Sequence, residues 1–248
     1  MPEHPAFAAV KALDVEALRR ELAAGVDPDM YESDHRYADT LLLQAVRSRR
    51  HAPEAQMRER LEIISLLLEA GASVDLVASV EQTPLHHAAH SESQAYHAVI
   101  AALLEAGADV NYVGWGGSVL ASAAKCGTAG AVRMLISAGA VDLDRALVLA
   151  IEHGKQRSCA PLMRAGAAIP AVIIAPKPAC STPWEELVPT FSQTRAYVGR
   201  VRAAGGFKAY EKAHRQRLTA IFLPKFPPAL PVEMLERVLE FTWDIGGH

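Results

Sequence analysis

Cysteine is scarce in this sequence: Cys126, Cys159 and Cys180 stand far apart with no CxxC spacing. An odd, sparse set argues against a disulfide scaffold and fits a reducing compartment. Aromatic residues supply only 6% of the chain, so the core must be built from Ala, Leu, Val and Ile, which suits closely packed helices. No long apolar run exists. The longest, Ala165 to Ala175, contains Gly166 and Pro170 and falls far short of a bilayer span. Met1–Pro5 lacks the basic-then-apolar pattern of a secretion leader. The formal net charge of −3 leaves no overall excess pointing to nucleic acid or membrane. A soluble protein of the cytoplasm is expected, with the nucleus as the alternative.

Catalytic patterns are missing as well. No Gly-x-Ser-x-Gly occurs, and Cys126 has no organised base near it in sequence. Gly114-Trp115-Gly116-Gly117 is glycine-rich but is not followed by Gly-Lys-Ser/Thr, as a phosphate loop requires. His86 and His90 stand at i and i+4, the spacing of a zinc-binding helix. They lack the glutamate that follows the first histidine of a metalloprotease. No catalytic residue, metal site or cofactor is assigned, and a non-enzymatic protein is expected.

What is present is self-similarity. Leu-Leu-Glu-Ala-Gly-Ala occurs at Leu67–Ala72 and again at Leu103–Ala108, with relatives ending in Gly25, Gly139 and Gly166. The marker glycines Gly25, Gly71, Gly107, Gly139 and Gly166 are spaced by 46, 36, 32 and 27 residues. Upstream of them lie Thr40–Ala45, Thr83–Ala89, Ser118–Ala124 and Leu147–Ala150. Thr83 can cap a helix whose first position is Pro84, where a missing N–H costs nothing. Gly71 and Gly107 fit the left-handed residue that closes a helix. One such unit cannot bury its own apolar faces, so neighbouring units must stack.

Thr83-Pro84-Leu85-His86-His87-Ala88-Ala89, followed by Leu103-Leu104-Glu105-Ala106-Gly107-Ala108-Asp109-Val110-Asn111, resembles the ankyrin repeat of about 33 residues. The likeness covers roughly residues 5–170. It implies a mainly α fold: an ankyrin-repeat solenoid of stacked helix pairs with short finger loops, followed by C-terminal helices. Expected boundaries are an array of four to five irregular repeats over 1–170, a Pro-rich linker over 171–191 and a helical cap or extension over 192–248. Departures from the pattern predict a lengthened helix or loop at Arg47–Arg60 and a short insertion around Ser91–Ala95. They also predict a junction at Val141–Asp144 with almost no finger.

By the same resemblance His86 is a structural histidine bonding between fingers, and partners contact finger tips and the exposed positions of each repeat's first helix. Aligned on Ala45, Ala88, Ala123 and Ala150, those positions are Gln44, Arg47, His87, His90, Ser122, Lys125 and Glu152. The finger at Asn111–Gly117 adds Tyr112 and Trp115; Trp115 either projects into solvent or folds back on the adjacent finger. The implied function is a protein–protein interaction scaffold with a partner of unknown identity.

The tail is read as a helical turn restarting at Thr182-Pro183-Trp184-Glu185, which has the form of a capping box, then helices at Ser192–Ala204, Phe207–Phe222 and Pro231–Trp243. Residues 195–226 hold eight cations against Glu211, a net of +7, whereas residues 27–39 carry a net of −4. Solvated faces that attract each other outweigh the alternative, docking of 195–226 on nucleic acid or an acidic surface. Leu230–Leu239 is similar to the opening helix of an F-box and, more faintly, to a SOCS box. That similarity gives the alternative function of a ubiquitin-ligase substrate adaptor, although the chain has too few residues left for a full F-box.

Overall fold

The computed structural model describes residues 4–32, 39–47, 56–77, 81–126, 128–171 and 184–222. Within them the chain is mainly helical, with one two-stranded hairpin. Ten helices form five successive pairs: α1 (Pro5–Ala12) with α2 (Val15–Ala23), α3 (Leu41–Val46) with α4 (Met57–Glu69), α5 (Pro84–Ala89) with α6 (Tyr96–Glu105), α7 (Val119–Cys126) with α8 (Ala129–Ser137), and α9 (Leu143–Glu152) with α10 (Gln156–Arg164). The first helices touch in the row α1–α3–α5–α7–α9, and the second helices in the row α2–α4–α6–α8–α10.

Short helices survive here because their ends are satisfied. Thr40, Thr83 and Thr128 each accept the backbone N–H three residues on, and Asp14 does the same for Ala17, satisfying donors that a helix start leaves unpaired. At the other end Ala72 N–H donates to Leu67 O (2.9 Å) and Gly71 N–H to Leu68 O (3.0 Å). This closure forces Gly71 to φ +91° and, in the next unit, Gly107 to +89°, a region glycine enters without a Cβ clash. The apolar face of each pair, such as Leu85, Ala88 and Ala89 with Val99, Ile100 and Leu103, is buried in one continuous core. Alanine on the first helices lets their backbones approach, which is how a chain poor in aromatics still packs tightly.

A second set of links runs along the loops. Asp29 accepts the Ser73 N–H (2.7 Å), Asp75 the Asp109 N–H (3.0 Å), and Asp144 the Ala168 N–H (2.7 Å). Asn111 bridges Gly139 O (3.2 Å) and the Val141 N–H (3.1 Å). Each is a short polar side chain four or five residues past a marker glycine, bonded to the backbone of the next unit. Among the described acids of the 27–39 stretch, Asp29 holds Ser73, Glu32 pairs with Lys11, and Asp39 with Arg47.

The irregular junctions have physical counterparts. α4 runs for 13 residues against nine or ten in the other second helices, and part of the expected insertion is its first turn. There Arg60 is buried and donates from Nη1 to the carbonyls of Ala45 and Arg47. At the other insertion, Ser91 and Ser93 hydroxyls accept the N–H groups of Ser93 and Ala95 (both 3.3 Å). α9 starts six residues after α8 ends, which leaves no room for a finger.

Beyond the pairs lie α11 (Trp184–Ala203) and α12 (Phe207–Phe222). α12 has the bounds read from the sequence. α11 begins at Trp184, within the expected capping-box turn, and runs unbroken into the helix expected from Ser192, so the last part of the 171–191 linker is helical and Pro189 lies inside the helix. α11 packs on α9 and α10, and α12 on α10 and α11. Phe191, Val198, Val201 and Phe207 extend the core. Gly154, in the α9–α10 turn, makes room for this docking: a Cβ there would lie 2.4 Å from Thr190 Oγ1. The helix expected at Pro231–Trp243, with its F-box-like stretch, and most of the Pro-rich linker lie outside the described residues.

Candidate partner-binding site

The finger between α6 and α7 is a hairpin, β1 (Val113–Gly114) with β2 (Gly117–Ser118), antiparallel with Val113 opposite Ser118. Trp115 and Gly116 form the two-residue tip. A loop this short needs positive φ near its tip, and Gly117 supplies it at +105°. The hairpin lies hard against the preceding loop, since a Cβ on Gly114 would sit 1.9 Å from the Glu81 carbonyl oxygen.

His86 fastens the hairpin from below. Its Nε2 lies 3.2 Å from Gly117 O, and its Nδ1 lies 2.9 Å from Thr83 Oγ1 and 3.4 Å from Thr83 N. A carbonyl only accepts, so Nε2 carries the proton and Nδ1 is the acceptor. Burial pushes the His86 pKa down, opposed by the Gly117 bond and by Asp75, which keeps the ring neutral as this pattern demands. Tyr112 meets the ring edge-on, centroids 5.8 Å apart. The structural role expected of His86 is the one observed.

With its base pinned on His86, Tyr112 and Glu81, the finger holds its tip away from the body. Trp115 is 87% exposed and Val113 69%. Trp115 projects into solvent and does not fold back. Val113 is a second exposed apolar group of the finger, and nothing in the sequence alone signals its exposure.

The row on the first helices divides. Arg47, exposed at the C-terminus of α3, pairs with Asp39. It comes close to His87 on α5, whose half-buried imidazole is pushed down to about 4, above all by burial and then by the charges of Arg47, His86 and His90. Gln44 and Lys125 are half-buried and His90 is exposed. Lys125 acts on the nearby His153, which burial, above all, holds below its ordinary pKa. Ser122 and Glu152 are only 7% and 5% exposed. α7 is flanked by α5 and α9, and α11 closes over the end of α9, so these two do not belong to the accessible row. His86, spent on Thr83 and Gly117, does not join His90 as a metal pair. Among the described residues no three His, Cys, Asp or Glu side chains converge, and no helix is long and apolar enough to cross a membrane.

The ankyrin-repeat family model matches residues 81–115. No curated protein matches the chain significantly. The matched stretch begins at Glu81, against which Gly114 is packed, continues through the capped α5 and the glycine-closed α6, and ends at the exposed Trp115. Residues 81–115 thus have the sequence pattern and the helix–turn–helix–finger geometry of an ankyrin repeat.

Proposed function

We propose that the five helix pairs form an irregular ankyrin solenoid, closed at its C-terminal end by α11 and α12, which serves as a non-enzymatic protein-interaction scaffold. The observation that carries this reading is Trp115, held 87% exposed at the tip of a fastened hairpin. A large apolar ring kept in water gains about 25 cal/mol for each Å² it later buries. Tryptophan is also among the residue types that dominate binding hot spots. Because the finger is already ordered by His86 and Glu81, docking it costs little conformational entropy. Val113 widens the apolar tip, and Arg47, His90 and Lys125 supply polar contacts along the neighbouring helices. Quantitative affinity capture tests this. Val113→Ala/Trp115→Ala should lose the bound protein, while Ser65→Ala, on the exposed face of α4, should retain it. Equal recovery by all three proteins would refute the finger assignment.

A further inference from the structure

The positive charge of the tail is not spread over the molecule. In the described part of α11 and α12, from residue 189 to 218, seven cations stand against the single acid Glu211. Glu211 is taken by Arg164 (3.0 Å) and Arg215 (3.3 Å). Arg195, Arg200, Arg202, Lys208, Lys212 and Arg217 are all exposed, and none of them makes an ion pair among the described residues. Arg195 and Arg202 stand seven apart on α11, and Lys208 and Lys212 four apart on α12, so each pair forms a stripe along its helix. On a chain of net charge −3, such concentration marks one end of the solenoid as a local anion-attracting surface.

The residues between the cations narrow the occupant. The other exposed residues of 189–218, among them Ser192, Gln193, Ala196, Ala209 and Gln216, are all small or neutral polar. The rings of Phe191, Tyr197 and Phe207 are buried, and Tyr210 is engaged edge-on by Tyr197 and stacked with His214. Among the described side chains, 189–218, no aromatic is therefore offered for stacking unpaired bases. Within the same stretch no large apolar side chain is fully exposed for insertion among acyl chains or as an anchor in a protein pocket. Cations on a small-residue surface suit the one polyanion that needs neither, the regular phosphate backbone of a nucleic-acid duplex. We infer that the exposed faces of α11 and α12 bind duplex nucleic acid through its phosphates, without reading base sequence. This surface is separate from the Trp115 finger.

The test is fluorescence anisotropy of the full-length chain with a labelled 20-base-pair DNA of mixed sequence. With about four phosphates neutralised, log affinity should fall against log salt with a slope of about −3.6, a loss of about 150-fold between 50 and 200 mM. Arg195→Gln/Lys208→Gln/Lys212→Gln, all exposed and with an unchanged helical spectrum, should make that slope shallower by about 2.7. Lys208→Arg/Lys212→Arg should bind as the parent does, and so should Trp115→Ala, which keeps the two surfaces distinct. No binding at 50 mM salt and 100 μM protein would overturn the inference, as would a glutamine variant indistinguishable from the parent. So would equal or tighter binding of phosphatidylserine vesicles or poly-glutamate, which would assign the face to a membrane or an acidic protein.

Discussion

Replacing His86 by alanine removes three things at once. The Nε2 bond to Gly117 O is lost, leaving a buried carbonyl without its partner, at about 1–2 kcal/mol. The edge contact with Tyr112 goes too, at about 0.5–1.5 kcal/mol. Thr83 also loses the acceptor that anchors the start of α5. The expected destabilisation is about 2–4 kcal/mol, concentrated at the α5–finger junction. Because repeat arrays open locally as well as globally, the readout should be local: amide hydrogen exchange across 112–119, alongside a urea melt followed by circular dichroism. Exchange at Val113 and Ser118 should accelerate more than at Leu18 or Val132, and the melt should shift to lower urea. His86→Gln, which keeps an amide donor near Gly117, should recover part of the loss. A change below about 0.5 kcal/mol with unaltered finger exchange would refute the view that His86 holds the finger out.

Gly114→Ala should damage the finger by a different route. A Cβ placed 1.9 Å from Glu81 O requires backbone movement, so a lowered melting temperature and faster exchange of the hairpin are expected, whereas Gly199→Ala, with open space at its Cβ, should be benign. Acid should weaken the fold. Burial lowers His86, His87, His97 and His153 below the ordinary histidine value of 6.5, so protonation favours the unfolded chain. Their contribution is intact above about 6.5 and is lost as pH falls toward the folded values, about 4 for His87, at up to roughly 1.4 kcal/mol per pH unit for each group. A urea midpoint unchanged between pH 7 and pH 5 would contradict this. Cys159, fully buried with its thiol pushed up to about 12, should resist iodoacetamide at pH 8 until urea opens α10; prompt labelling of native protein would refute its burial. Gly154→Val should loosen α11 from the α9–α10 turn, visible as faster exchange at Val198 and Val201.

Much of this architecture is legible in sequence because it depends on local chemistry. Thr83, Pro84 and His86 mark a capped helix, and Gly71 and Gly107 mark helix ends, each through the few residues that set its own backbone angles. Even the loop ladder has a signal, Asp29, Asp75 or Asn111 four residues past a glycine, but its meaning emerges only when the next unit is stacked beside it. Burial of Ser122 and Glu152 could not be read from alignment, because it depends on helices packed from either side and on α11 closing the end. Gly154 looks like an ordinary turn glycine until Thr190, 36 residues on, is found against it. Prolines around the start of α11 suggested a linker, yet the helix accommodates Pro189 at the loss of one backbone bond.

The central claim is that the finger of the repeat at 81–115 is a docking element held ready in the free protein. The most direct measurement places a photo-crosslinking amino acid at position 115 and, as a control, at position 65 on the exposed face of α4. Irradiation in the native host should yield one discrete protein adduct from position 115 and none from position 65, and the adduct should vanish when His86→Ala releases the finger. Adducts of equal yield at both positions, or none at 115 while the protein remains folded, would contradict the account.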